Sequence, residues 1–249
     1  MSPRSDYRAA VRDMVASLRA RAVERAPDAA ARASAGLSVS NAEQSETVIR
    51  IYDEVSYWGV SALDVIDELD RVTTDRIRVE INSPGGDVFD GIAIHNALRA
   101  HSAHVTVRVV GLAASIASVI AQAGDERIMQ PAAQMMIHNA FGLVVGDHSD
   151  HSDMARLLQQ QDLVIAGIYA ARSGRDVAEF TALMDAETWL TDQATVDLGL
   201  ADSVAELAAT ASTSTTVTSS TTVTSSITAP AVSALPFSQI AANAQRRRR

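Results

Sequence analysis

Cysteine and lysine are both missing from the chain, and all 21 of its basic residues are arginine. The lack of cysteine excludes disulfides, thiolate metal sites and cysteine nucleophiles. The lack of lysine excludes a Schiff-base enzyme, a phosphate-binding loop with its lysine and a serine–lysine dyad. Aromatic residues are scarce, at 4%, whereas hydrophobic residues make up 47% of the 249 positions. The core must therefore consist mainly of small aliphatic side chains.

Long apolar runs are missing as well. No run approaches the roughly 20 residues that a membrane helix needs, so we expect no membrane partner. The first residues contain arginine but no apolar signal core, so we expect a cytoplasmic protein rather than a secreted one.

Charge is distributed unevenly along the chain, which has a formal net charge of −9. Residues 36–209 carry 10 Arg and 26 acidic residues, whereas residues 1–35 and 210–249 are net basic. The acidic middle argues against nucleic acid as the partner of the main domain. The basic ends are typical of solvated tails, and they also suit contact with nucleic acid or with an acidic protein surface.

Composition divides the chain into three segments. Residues 1–45 form a basic N-terminal extension, in which Pro27 and a run of small residues end a marginal helix. Residues 46–208 form the main domain. Residues 209–249 form a tail that ends in four arginines, and 15 of the 19 residues at 210–228 are Ser or Thr. Because such a stretch buries too little apolar surface to offset its ordering entropy, we expect it to be flexible.

Strand and helix patterns alternate through the main domain. Apolar patterns predict strands at 48–52, 77–81, 105–110, 126–129 and 134–137, and helices at 61–69, 88–100, 115–123, 152–172 and 176–184. The short connections between them predict an α/β fold with mainly parallel strands. In such sheets, functional sites collect at the carboxyl ends of the strands.

Three of these strand ends carry residues suited to nucleophilic chemistry. Asn82-Ser-Pro-Gly-Gly-Asp87 places two glycines after a strand, where backbone N–H groups can bind a carbonyl oxygen or an anion. Ser115 opens a helix of small residues, where the N–H of Ile116 is free to stabilise an oxyanion. His138 ends a strand and can act as the general base for a serine.

Each of these motifs also has a purely structural interpretation: a plain turn, a helix N-cap for Ser115 and a structural histidine. Ser118 is the poorer nucleophile because it lies inside the same helix.

The run Asp147-His-Ser-Asp-His-Ser-Asp153 contains residue types that bind metals. Acidic residues and serines at a helix start nevertheless favour a capped, solvated terminus over a metal site.

Four blocks taken together resemble the Clp protease proteolytic subunit family. They follow the family's order and nearly its spacing, and they are Ile81-Asn-Ser-Pro-Gly-Gly86, Gly111-Leu-Ala-Ala-Ser115, Met136-Ile-His138 and Leu198-Gly-Leu-Ala-Asp202. The resemblance covers about residues 48–207 and implies an α/β, crotonase-like spiral of ββα units. It implies Ser115 as the nucleophile and His138 as the base. It also implies an oxyanion hole made by the N–H groups of Gly86 and Ile116, with no metal or other cofactor.

The third member of the triad is placed at Glu187 by the resemblance, counting back from Gly199. A glutamate can serve there, because either type of carboxylate can stabilise an imidazolium. Asp185 lies two residues earlier, would face the same side of an extended segment and is the alternative. We favour Glu187.

Two segments, Tyr52–Gly59 and Glu187–Trp189, look more like the phage branch of the family, whose members are head maturation (prohead) proteases. The resemblance therefore implies an ATP-independent serine endopeptidase that forms a homo-oligomeric ring and processes capsid or scaffold proteins. It would act in the host cytoplasm or inside the procapsid. One alternative is a housekeeping Clp peptidase that works with an ATP-dependent unfoldase. The other is a crotonase-type acyl-CoA enzyme, which would need neither Ser115 nor His138.

The helix predicted at 152–172 carries more apolar residues than one buried face needs. Part of its surface should therefore pack against another subunit, which is a second reason to expect a homo-oligomer.

Overall fold

The structure is a computed structural model that describes residues 36–43 and 45–206. The marginal helix predicted near the N-terminus and the Ser/Thr-rich tail with its four arginines lie outside the described residues.

An eight-stranded sheet forms the centre of the described part. Its strands are β1 (Leu37–Glu43), β2 (Glu46–Ile51), β3 (Arg76–Ser83), β4 (His104–Ala114), β5 (Glu126–Met129), β6 (Gln134–Ile137), β7 (Thr188–Thr191) and β8 (Ser203–Val204). The main path runs β1-β2-β3-β4-β5-β8, and β6 branches off to pair with β4 and β7. Pairing along β2-β3-β4-β5-β8 and between β4 and β6 is parallel, and β1-β2 and β6-β7 are antiparallel. The predicted α/β fold with mainly parallel strands is confirmed.

Six helices connect the strands of the described residues. They are α1 (Ala62–Leu69), α2 (Val88–Ala100), α3 (Ile116–Ala121), α4 (His148–Ser173), α5 (Val177–Asp185) and α6 (Asp192–Asp197). Ser61 caps α1 as predicted, because its side chain accepts a hydrogen bond from the N–H of Asp64. No helix in residues 36–43 and 45–206 is long and apolar enough to cross a membrane.

Small aliphatic side chains dominate the core, as the composition requires. Burial alternates along β3 and β4, and every residue of α3 is buried. Tyr169 and Phe180 are the two bulky aromatic side chains that are fully enclosed, with their ring centroids 5.5 Å apart. The short α3 therefore lies inside the molecule, and Ser115 before it is only partly buried.

Two boundaries differ from the sequence prediction. Residues 1–45 were assigned to an N-terminal extension, but Leu37–Glu43 forms β1 and pairs antiparallel with β2. The extension therefore contributes the edge strand of the sheet. The strand predicted at 105–110 continues to Ala114, because Leu112–Ala114 pair with Gln134–Met136 of β6.

Arg127 anchors the C-terminal sequence block, Leu198–Asp202. Its guanidinium group donates to Asp202, to the side chain of Gln122 and to the carbonyl of Gly199. Burial raises the pKa of Asp202, but the hydrogen bonds and the positive charge of Arg127 outweigh this and hold that pKa below its usual value. Leu198–Asp202 thus fixes β8 and the preceding turn to β5, which is a structural role.

Candidate active site

Ser115 is the residue at which β4 turns into α3. Its backbone has φ 54° and ψ −129°, a conformation that costs a non-glycine residue about 1–3 kcal/mol. Gly111, which follows the predicted strand 105–110, lies within β4, and Ser115 itself makes the turn. A strained, sharp turn of this kind projects the serine side chain away from both elements, as in a nucleophile elbow.

His138 follows the last residue of β6, the neighbouring parallel strand. The N–H of Ser115 donates to the carbonyl of Met136 at 2.9 Å, which ties the elbow to β6. His138 Nε2 lies 2.8 Å from Ser115 Oγ, within hydrogen-bond reach of a base and its nucleophile. The two candidates that the sequence singled out are therefore brought together by the β4–β6 pairing.

The side chain of Ser115 makes no capping hydrogen bond to α3, so the simple N-cap interpretation is wrong. Ser118 is fully buried instead, and its hydroxyl bonds to the carbonyl of Ser115 and to Tyr169 Oη, the latter at 2.7 Å. Burial raises the pKa of Tyr169, so that phenol stays neutral. Ser118 thus supports the elbow from inside and has no access to substrate.

The turn after β3 packs directly against the elbow. Gly85 has φ 91°, and a Cβ on it would lie 2.7 Å from Ser115 Cβ and 3.0 Å from the nitrogen of Ile116. Gly86 has φ 149°, and a Cβ there would meet the carbonyl oxygen of Val55 at 2.1 Å. Both positions therefore require glycine, for conformation and for close backbone approach.

The N–H of Gly86 is left unused by the hydrogen bonds that fix this turn. Val55 N–H donates to Gly85 O at 2.8 Å, and Asp87 N–H donates to Val55 O at 2.6 Å. Ile116 is the first residue of α3, so its N–H has no acceptor within the helix. The two N–H groups that the resemblance implied for an oxyanion hole lie on adjoining turns at the mouth of the site.

Asn82 has a positioning role that the sequence interpretation did not assign. The β3–β4 register runs from Ile81↔Val109 to Ser83↔Ala113, so β4 has two extra residues at this point. Asn82 Oδ1 accepts from Leu112 N–H at 3.1 Å inside this bulge. A Cβ on Gly111 would lie 2.7 Å from the same oxygen, so a glycine makes room for it. The bulge therefore determines where Ser115 lies relative to the Gly85–Gly86 turn.

Glu187 and His138 each lie one residue beyond the end of the β6–β7 ladder. The antiparallel β6–β7 ladder ends at Ile137↔Thr188, so the next opposed pair is His138 and Glu187. Glu187 has φ 47°, however, and its exposed carboxylate accepts from Trp189 Nε1 at 3.3 Å. Asp185, the alternative, accepts from Asn139 Nδ2 at 2.8 Å. Both carboxylates therefore surround the histidine segment, each with a partner other than the imidazole.

The acidic run before α4 is a helix cap, as the sequence favoured. Asp147 is the N-cap of α4, and it forms a capping box with Asp150. Within residues 36–43 and 45–206, no group of three or more His, Cys, Asp or Glu side chains has the geometry to hold a metal ion.

A family model for Clp proteases matches residues 37–208, more than half of the chain. The chain belongs to the Clp protease family. The predicted resemblance to that family is thereby confirmed, and the mixed α/β structure agrees with the family's fold.

Curated relatives from this family include ATP-dependent Clp protease proteolytic subunits of Ligilactobacillus salivarius and Bacteroides fragilis. Each is 35% identical to the chain over 130 residues, which is 51% of this chain. The matched stretch covers 66% of the length of the first relative and 63% of the second. Just under two thirds of each relative is therefore represented here.

Proposed function

We propose that this Clp protease family member is a serine endopeptidase. The observation that carries the proposal is the 2.8 Å contact between Ser115 Oγ and His138 Nε2 at a strained strand–helix turn. The backbone N–H groups of Gly86 and Ile116 support it, because Ile116 follows the serine directly and Gly85, the neighbour of Gly86, packs against Ser115 and Ile116.

In the proposed reaction, Ser115 Oγ attacks the scissile carbonyl carbon and its proton passes to His138 Nε2. The carbonyl oxygen becomes an oxyanion that accepts hydrogen bonds from Gly86 and Ile116. His138 then returns the proton to the leaving amine, and an ester to Ser115 remains. A water molecule, deprotonated by the same imidazole, hydrolyses that ester and restores the serine.

Two carboxylates that the sequence singled out are candidates for the third member of the triad. Strand register supports Glu187, because it and His138 each lie one residue beyond the end of the β6–β7 ladder. Asp185 is supported only by its hydrogen bond to Asn139.

A crotonase-type acyl-CoA enzyme would share a backbone oxyanion hole, but it would not need a serine paired with a histidine. The strain at Ser115 and its contact with His138 therefore favour the peptidase.

We further propose that the substrates are capsid or scaffold proteins during phage head maturation. The Tyr52–Gly59 and Glu187–Trp189 segments, which look like the phage branch, support this role. The names of the curated relatives favour a second candidate, a housekeeping peptidase that works with an ATP-dependent unfoldase.

Co-expression separates the two roles. The full chain or its Ser115→Ala variant is expressed with the scaffold and major capsid proteins encoded nearest to its gene. We expect these proteins to be shortened without any added unfoldase, and only when Ser115 is present. Cleavage that is confined to unfolded proteins and requires an ATP-driven partner would contradict the head maturation role and support the housekeeping one.

A homo-oligomer is expected from the exposed apolar side chains of α4. Leu157, Leu163 and Val164 are exposed on this helix, whereas Ile165 and Tyr169 pack into the core. Sedimentation of the full chain should give a multiple of its 26.4 kDa mass. Leu163→Glu should shift the protein towards smaller species. Leu63→Glu, a change at a comparably exposed leucine on α1, serves as the control. An active species that sediments as a monomer contradicts this expectation.

A further inference from the structure

Carboxylates from three different elements surround the His138 segment. The titratable groups around it are Asp162 and Tyr169 on α4, Asp185 at the end of α5 and Glu187 before β7. Asp162 lies outside the four sequence blocks that resemble the Clp family. It is in the middle of the long helix α4, where no local sequence pattern marks it. The structure alone brings it to the site.

Asp162 lies on the face of α4 that packs against the active site. Ile165 and Tyr169, three and seven residues later, line the cavity that contains Ser115 and His138. Residues at this spacing share one face of a helix. Asp162 Oδ1 accepts a hydrogen bond from the N–H of Ala140 at 2.6 Å, which fixes the carboxylate two residues from His138. Within the described part of the chain, its other oxygen has no hydrogen-bond partner.

The charge of Asp162 is coupled to that of His138. Burial is the largest influence and raises the pKa of Asp162, and the negative charge of Asp185 also raises it. The hydrogen bond from Ala140 and the positive charge of a protonated His138 lower the same pKa. An ionised Asp162 therefore attracts a positive charge that forms on the imidazole.

We propose that Asp162 is a positioning residue whose carboxylate holds the His138 segment and stabilises the imidazolium that forms when Ser115 loses its proton. This inference rests on the proposed peptidase function. A half-buried carboxylate that a backbone N–H already holds needs no rearrangement and acts through a lower dielectric than an exposed one. Glu187 is exposed and bonded to Trp189, so its charge is screened more strongly.

Three near-isosteric variants test the proposal: Asp162→Asn, Asp185→Asn and Glu187→Gln. The amide of Asp162→Asn can still accept from Ala140 N–H, so the variant removes the charge and keeps the hydrogen bond. The readout is the rate at which a fluorophosphonate labels the full-length protein between pH 5 and 9. In the plot of this rate against pH, the rise on the acidic side (the acidic limb) reports the titration of the base in the free enzyme.

Removing a nearby negative charge takes away an attraction that stabilises the imidazolium. The acidic limb of Asp162→Asn should therefore move to lower pH by about one unit. Its plateau rate should fall by about 10-fold or more, yet by less than the ~10⁴-fold of a fully buried triad aspartate. We expect the limbs of Asp185→Asn and Glu187→Gln to stay near the wild-type position.

The proposal is overturned if a folded Asp162→Asn leaves the limb where the wild-type protein has it, whether or not Glu187→Gln moves it. Thermal melting followed by circular dichroism checks folding. If Asp162→Asn is unfolded, the Glu187→Gln profile decides alone: a moved limb refutes the proposal and an unmoved limb supports it. A wild-type protein that takes up no label contradicts the peptidase function itself, which separates the two failures.

Discussion

Ser115→Ala is expected to abolish peptide-bond hydrolysis. The nucleophile, its base and the oxyanion donors act as a unit, and loss of the serine from such a unit costs about 10⁶-fold in turnover. Cleavage of fluorescein-labelled casein by the full chain measures the effect. The fold should survive, since the change removes one oxygen and leaves the backbone turn as it is.

Ser118→Ala is the matched control for that experiment. Its hydroxyl also lies near the elbow, but it is buried and bonded to the Ser115 carbonyl and Tyr169. We expect a modest loss of stability, about 1 kcal/mol for a removed hydrogen bond, and activity of the same order as the wild type. Equal inactivation by the two variants would mean that the wrong serine has been assigned.

Gly86→Ala has the second large expected effect. The added Cβ would lie 2.1 Å from the carbonyl oxygen of Val55, in a backbone conformation that L residues rarely adopt. The turn must shift, and the N–H of Gly86 shifts with it. Losing one oxyanion-hole donor costs about 10²–10³-fold in turnover, so we expect a casein cleavage rate lower by at least that factor.

Gly167→Ala provides the control for a glycine that carries no such constraint. It lies within α4, and apart from its chain neighbours and the backbone of its own helix, no atom of the described residues lies within 4 Å of a Cβ at that position. Alanine there should leave activity unchanged and stabilise the helix by up to about 1 kcal/mol, measured by thermal melting. If Gly86→Ala is as active as Gly167→Ala, the assigned oxyanion hole is incorrect.

The alternation of strands and helices could be predicted because each element carries its own periodic pattern. The parallel strands and the meeting of Ser115 with His138 followed from strand ends that share one edge of a sheet. Edge strand β1 was missed because its residues, Leu37–Glu43, alternate weakly and follow a run of small residues.

The geometry of the elbow could not be predicted in the same way. Gly111 is the residue with turn propensity, but pairing of Leu112–Ala114 with β6 extends the strand and moves the turn to Ser115. Tertiary pairing thus outweighed local preference. The part played by Asn82 depends on a two-residue bulge in β4, which has no signature in either strand taken alone.

The carboxylate that stabilises the His138 imidazolium could also be predicted only in part from the sequence. Sequence register favours Glu187, and the β6–β7 ladder ends one residue before both Glu187 and His138, at Ile137↔Thr188. The positive φ of Glu187, the bond to Trp189 and the approach of Asp162 from α4 all arise from packing between distant segments.

Active-site labelling tests the central claim, the Ser115–His138 pair, most directly. The full chain is treated with a fluorophosphonate at neutral pH, digested and analysed by peptide mass spectrometry. We expect one phosphonylated residue, Ser115, with labelling retained in Ser118→Ala and lost in Ser115→Ala and His138→Ala. Labelling that persists without Ser115, or a wild-type protein that stays unlabelled, would contradict it.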